Sequence, residues 1–370
     1  MGAAYMITNE DTNSVLSLGI DAKGMLTKGK MVATGGCGAA SIDGSTKQPA
    51  AADPLVSQSA LTVAGKNLFA VNAGSNTISM FAISDRDPTK LTMVGAPAQI
   101  PGEFPNTVAA SAKHKLVCAA TTGAVAGVSC ASFDAKTGIA GAMDALRPFD
   151  LKQTTPPVGP TNTVSQVLFS EDENTLFAVV KGDPATPGNV GFMAAFPVAA
   201  DGKSVSAQGV KSSPADTLVL FGSTVIPGTT DIFATDASFG GAVLTTAQDG
   251  KTTTKGKAAV DGQKASCWAA FSPATKSVFV ADVGVNRLVE MSAQDASIMR
   301  TLDFSKENKQ SGMIDLKALG QMVYAVAPGN NETKPAVVVV NAKQGKQVQL
   351  MDLGAMGVSG RVQGLAIKAV

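Results

Sequence analysis

One histidine and four cysteines are all that the 370-residue chain offers as neutral-pH bases or sulfur nucleophiles. The histidine, His114, stands in the polar phrase SAKHK between two apolar runs, which reads as a surface turn and not as a catalytic position. None of Cys37, Cys118, Cys130 and Cys267 belongs to a Cys-x-x-Cys pair, so neither a zinc site nor a dithiol redox site is expected. Cys118 and Cys130 fall on successive apolar runs in LVCAATTGAVAGVSC, where a cross-strand disulfide and two separate buried thiols both remain open. Cys37 with Cys267 is a second candidate pairing. Acid–base chemistry therefore falls to carboxylates. Glu10, Asp236 and Asp282 are the candidate catalytic groups, with Asp53, Glu103 and Asp315 in loops of the same kind. Asp236 and Asp282 end apolar runs as Asn72 does, so the competing reading is a carboxylate that caps turn N–H groups. No Asp-x-Asp-x-Asp loop is present, and neither a metal nor a cofactor is expected.

The elements that must position these groups repeat. The second unit shows the pattern: SALTV, NLFAVN, TISMFAIS and LTMVGAPAQI, four short strands joined by turns. The third strands align along the chain as SVLSLGID, TISMFAIS, VSCASFD, GFMAAFPV, GAVLTTAQD, RLVEMSAQD and AVVVVNAKQG. Several are followed by hairpin chemistry such as Asp201-Gly202 and Asp249-Gly250. About seven units at blade-like spacing predict an all-β, seven-bladed β-propeller of four-stranded antiparallel blades, one domain over residues 1–370. Such sheets bury their faces only by packing against one another around an axis. AAYMITNE matches a second strand, so the first unit lacks its innermost strand, and RVQGLAIK at the C-terminus supplies it. The C-terminal strand should close the ring by completing the N-terminal blade.

Composition narrows the function classes. Hydrophobic residues at 45% allow a sizeable core, and charged residues at 16% fall below the roughly 25% of ordinary domains. A net charge of +1 without a basic run argues against nucleic acid as a partner. No apolar stretch approaches the roughly 18 residues of a membrane span. The Met-Gly start reads as one placed where a leader peptide was removed, and a secreted or cell-surface monomer is expected. The triplet Asn331-Glu332-Thr333 permits glycosylation of a loop in that setting.

FAVNAGSNTISMFAI at 69–83 and ITNEDTNSVLSLGIDAKGMLT near the start resemble the lactonase-type seven-bladed propeller family. Its members include bacterial 6-phosphogluconolactonases and fungal 3-carboxymuconate-lactonizing enzymes (3-carboxymuconate cyclases). GEFPNTVAAS, DALRPFDL and GPTNTVSQ are most similar to its secreted fungal cyclase-like branch. The resemblance implies a site at one mouth of the central tunnel. There the family uses a His and Arg before an inner strand and a Glu after the following strand. In this chain the Arg-His positions hold Ser165-Gln166 and Ser57-Gln58. The same His slot holds Asn106, Trp268 and Gln363 in other units, and the Glu slot of the fourth unit holds Lys181. The Asn-Glu pair survives as Asn9-Glu10, in the first unit.

An amide does not titrate usefully, so glutamine cannot replace the imidazole as a base. The expected function is a secreted lactonase- or cyclase-like propeller that binds a small polar or aromatic ligand, or a glycan, at the mouth, with the family chemistry lost or altered. Gln58, Asn72, Asn106, Gln166, Lys181, Trp268, Arg361 and Gln363 are the candidate ligand-binding residues. Amides beside one aromatic face suit hydrogen bonding and stacking; alternatively they satisfy each other and water around a plugged tunnel. Arg287 is a further candidate anion anchor. Two other functions stay open. One is an active lactone hydrolase or carboxymuconate-type cycloisomerase that uses Glu10, Asp236 or Asp282. The other is a host-contact adhesin or antigen acting through the long segments 37–56 and 147–163.

Overall fold

A computed structural model describes residues 2–370; Met1, the first residue of the predicted domain, lies outside the described residues. Seven antiparallel sheets, each with a four-strand path, stand around a central axis as the blades of a propeller. Their inner strands are Gln363–Ala369 in blade 1, Leu61–Ala64 in blade 2, Pro105–Ser111 in blade 3 and Val164–Phe169 in blade 4. Leu220–Val225, Ser266–Ser272 and Ile314–Leu319 serve blades 5, 6 and 7. The C-terminal strand pairs with the N-terminal one as predicted, with Ala4 opposite Ile367 and Tyr5 opposite Ala366.

Residue choice follows position in the blade. The second and third strands are covered on both faces by neighbouring blades, so they read as unbroken apolar runs. Asn67–Asn72 (NLFAVN) and Ala336–Asn341 (AVVVVN) are buried at every position. Outermost strands lie on the rim and alternate instead: Lys346–Asp352 (KQVQLMD) shifts between exposed and half-buried along its length. Phe69, Phe81, Phe233 and Phe279 are fully buried between blades. Each contributes about 1.5–3 kcal/mol of hydrophobic stabilisation relative to an exposed ring. Cys118 and Cys130 face each other across adjacent strands of blade 3 and form a disulfide. Cys37 and Cys267 do not pair: Cys37 is exposed and Cys267 is buried in the hub, which removes the second candidate pairing.

Two features shape the hub. In six blades the inner strand carries a bulge near its start, at Asn106, Ser165, Phe221–Gly222, Cys267, Asp315 and Gly364–Leu365. A bulge re-aims the side chains around it. The long segments predicted as separate outer loops also meet. Ile42–Asp43 pairs in parallel with Val158–Gly159, forming a two-stranded cap over the end of the ring where the inner strands begin. Among the described residues, no helix is long and apolar enough to cross a membrane.

Candidate functional site

The chain fills its own hub. Residues Asp53 to Ala60, which lead from the cap into blade 2, are all buried. The carbonyls from Pro54 to Ser59 and the N–H groups of Gln58 and Ser59 are satisfied by other elements, while the Val56 and Ser57 N–H groups turn back on Asp53. The Pro54 carbonyl accepts from Ser41 N–H in the cap at 2.8 Å. The Leu55 carbonyl accepts from Asn106 Nδ2 at 3.2 Å, Val56 from Lys181 Nζ at 2.5 Å and Ser57 from Trp268 Nε1 at 3.1 Å. Gln58 N–H donates to the Ser165 carbonyl at 2.9 Å, and the Gln58 carbonyl accepts from Thr107 Oγ1 at 2.8 Å. Ser59 N–H donates to Asp315 Oδ2 at 3.0 Å, and the Ser59 carbonyl accepts from Val108 N–H at 2.9 Å. A buried backbone needs such partners, and here blades 3, 4, 6 and 7 supply them.

The amides at the family's imidazole positions take part in this seal. Gln58 clasps the backbone of Ala269, donating from Nε2 to its carbonyl at 2.9 Å and accepting its N–H on Oε1 at 3.1 Å. Gln166 does the same at Ser223, with contacts of 3.1 Å and 2.5 Å, and also donates to Ser59 Oγ. The arrangement thus differs from amides projecting into an open mouth. Gln58 reaches blade 6 only because residue 222 is glycine: a Cβ there would lie 2.0 Å from Gln58 Oε1 and 2.5 Å from the Cys267 carbonyl. Asn106 also donates to the Val164 carbonyl, while its Oδ1 is buried without a partner. Gln363 Nε2 donates to its neighbour's carbonyl, at Val362. Trp268 is 1% exposed, packed edge-on against Phe221 at 5.1 Å.

Charge is concentrated at the same place. Lys181 is fully buried, with its ammonium 4.2 Å from the centre of the Phe221 ring. Burial pushes its pKa down, against the pull of Asp53 and, more weakly, Cys267. Burial pushes the Asp53 carboxyl up; Lys181 and the Ser57 N–H oppose that rise. Asp315 is likewise raised by burial, with Lys317 and the Ser59, Leu316 and Leu365 N–H groups opposing. Its Oδ1 has no partner, and its backbone sits at φ 37°. Desolvation raises the Cys267 thiol well above its ordinary value, which leaves it protonated and a poor nucleophile. Val56, a β-branched residue, is held at φ 49°, between Asp53 at 54° and Ser59 at 67°. Left-handed conformers of this kind cost about 1–3 kcal/mol each and persist only where the surroundings over-determine them.

The candidate catalytic carboxylates lie outside this cluster. Asp236 accepts N–H bonds from Leu218, Val219 and Ser238, and Asp282 from Lys264, Ala265 and Gly284. Each ties the loop leading into its blade to the end of the second strand, as the capping alternative describes. Asn72, at the same place in blade 2, instead links blades 1 and 2 through side chains: its Oδ1 accepts from Asn13 and Thr34, and its Nδ2 donates to Thr77 and Ser79. Glu10 stands on the rim, bonded to Ser359 and 3.5 Å from Arg361, which also reaches Asp11 at 3.2 Å. These four side chains join the first and last segments of the chain. Arg287 sits 3.9 Å from Asp282. His114 lies in the turn between the first two strands of blade 3, opposite the cap, 3.2 Å from Asn174 Oδ1. Among the described residues, no group of His, Cys, Asp and Glu is arranged to hold a metal ion.

Sequence reasoning placed the amides, Trp268 and Lys181 near the hub but missed what they hold. Two signals pointed to a filled tunnel. One is the long lead-in between Ala33 and Leu61, ending in the non-alternating DPLVSQS; the other is a glycine inside the fifth blade's inner strand, LFGST.

No protein-family model matches the sequence, and no curated protein matches it either. Solved structures do. The periplasmic gluconolactonase of Pseudomonas aeruginosa superposes with a TM-score of 0.68 at 14% identity, over 100% of this chain and 99% of that one. A candidate 6-phosphogluconolactonase of Bacteroides fragilis gives 0.60 at 12% identity, over 100% and 98%. Another, of Bacteroides uniformis, gives 0.56 at 17% identity, over 76% and 80%. The likeness is one of fold. It makes the chain a lactonase-like propeller in architecture, and the hub just described is what this sequence has built on that scaffold.

Proposed function

We propose that this lactonase-like propeller is a non-hydrolytic binding protein that works outside the cell through its capped face. The observation that carries the reading is the sealed hub. Lactone opening needs a base beside a reachable carbonyl. Here the imidazole positions hold Gln58 and Gln166, and both amides are bonded to the main chain of other blades, Gln58 across the hub to blade 6 and Gln166 to the neighbouring blade 5. Recognition then falls to the cap. Its outward residues Ser45, Thr46, Gln48, Thr154 and Thr155 are exposed hydroxyls and amides, which suit a neutral hydroxyl-rich partner such as a glycan. The disulfide and the exposed Asn331 sequon are consistent with an oxidising, extracellular setting. A glycan array with the intact protein and a variant carrying Ala at Thr46, Gln48, Thr154 and Thr155 tests the reading. Binding that the variant loses, with no turnover of a lactone and muconate panel by either protein, is expected.

A second reading rests on one observation, the buried Lys181 and Asp53 with oppositely displaced pKa values, since such groups cluster at working sites. It requires residues 53–59 to leave the hub. Lactone turnover that disappears in Lys181→Met would favour it over the binding reading.

A further inference from the structure

The seam between blades 4 and 5, on the face opposite the cap, is incompletely closed. Its shared core is a cluster of ten residues, including Leu168, Phe177, Ile232 and Leu244. The outermost strand of blade 4, Val210–Ser212, has only three residues, so the outer part of the seam has little to close it. Between the turns of the two blades this leaves a cleft of about 340 Å³. That volume lies within the range of small-molecule sites, roughly 300–1,000 Å³.

The cleft combines an apolar floor with acidic edges. Phe177, Val225 and Ile232 supply the floor, and Pro197 one wall. At the edges stand Glu171, Asp172 and Asp231. Asp231 is nine-tenths buried and pairs with Lys255 at 2.6 Å, a lysine that approaches from the rim. Asp172 is held below the usual carboxylate range, first by the Ser170 hydroxyl and then by Asn174 N–H, so it stays ionised. Glu171 bridges the seam: Oε2 accepts the Gly228 N–H at 2.6 Å. Three carboxylates against two lysines, Lys255 paired with Asp231 and Lys113 bonded to the Asp172 carbonyl at 3.0 Å, leave the cleft net negative by one charge, which disfavours anions and favours a cation on an apolar body.

We propose that this cleft is a binding site for a small organic ammonium with an apolar or aromatic body, distinct from the hub and the cap. Phe177 and Ile232 would cover the apolar body, and Glu171 would face the ammonium.

Three matched probes test it on the intact protein by calorimetry and by chemical-shift mapping: phenethylamine, phenethyl alcohol and phenylacetate. The amine should bind at least 5-fold more tightly than the alcohol, and phenylacetate should not bind. Glu171→Gln, which can keep the bond to Gly228, should remove the amine's advantage and leave the alcohol unchanged. Thr246→Phe, which fills the cleft from the end of a strand, should abolish both. If it lowers the melting temperature, Thr230→Arg replaces it, and a cation there should repel the amine while phenylacetate gains. Equal affinity for amine and phenylacetate, or shifts confined to residues outside blades 4 and 5, would overturn the proposal.

Discussion

The Lys181 ammonium donates to the Val56 carbonyl at 2.5 Å while lying over the Phe221 ring at 4.2 Å. A lysine of blade 4 thus pins the one β-branched residue held in a left-handed conformation within the hub segment. The contact joins the two costs of the filled tunnel, a strained backbone and a buried cation, and it makes the pair testable.

Lys181 predicts a pH dependence of stability. Its folded pKa is lowered, so the unfolded chain binds a proton that the native state does not, between the native value and the ordinary lysine value. The stability linked to this group is present at high pH and lost as pH falls through the native pKa. Relative to Lys181→Met, the wild type should therefore gain stability on going from pH 7 to pH 10, by no more than about 1.4 kcal/mol per unit. Urea unfolding of both proteins across that range measures it; parallel curves would show that Lys181 titrates normally.

Asp315 runs the other way. Burial raises its folded pKa, so the stability linked to it is present at low pH and lost as pH rises through the native value. Asp315→Asn can still accept the Ser59 and Leu365 N–H groups through its amide oxygen. The variant should gain on the wild type between pH 5 and pH 8, read from melting temperatures at each pH. A variant that loses ground to the wild type as pH rises would contradict the assignment.

Gly222 is a steric test of the seal. Any Cβ at this position meets Gln58 Oε1 and the Cys267 carbonyl. Gly222→Ala should break the clasp of Gln58 on Ala269 and leave buried donors and acceptors unpaired, at about 1–3 kcal/mol for each. Gln58→Ala should cost a similar amount. If the two losses share one cause, the double variant costs little more than the worse single one, which a double-mutant cycle measures.

Asp282→Ala separates structural from catalytic roles. Three main-chain N–H groups lose their acceptor, so the domain should lose at least about 2 kcal/mol, visible in denaturant unfolding. If a lactone turns over at all, its rate per folded molecule should not change.

The ring was legible because blade geometry imposes composition. Doubly covered third strands such as Thr77–Ile83 and Ala336–Asn341 need continuous apolar runs, and those align by eye. Closure was legible because the strand Gly2–Ile7 begins the chain without an inner partner. A plugged tunnel was one of the readings left open, but the path of the chain through the hub was not legible. Asp53, Val56 and Ser59 take left-handed conformations without glycine, so no turn signature marks the path. Gln58 and Gln166 were placed at the hub, but their partners, Ala269 and Ser223, lie in other blades at positions that spacing within one repeat does not reveal. The single letter Lys181 carried no hint that it would reach Val56, 125 residues earlier.

Hydrogen exchange at the Gln58 and Ser59 amides tests the sealed hub most directly. Both N–H groups are buried and bonded, to the Ser165 carbonyl and to Asp315. They should exchange as slowly as the core strand Asn67–Asn72, through global unfolding alone. Exchange within minutes under native conditions, while that strand stays protected, would mean that the hub opens and that a central ligand site exists.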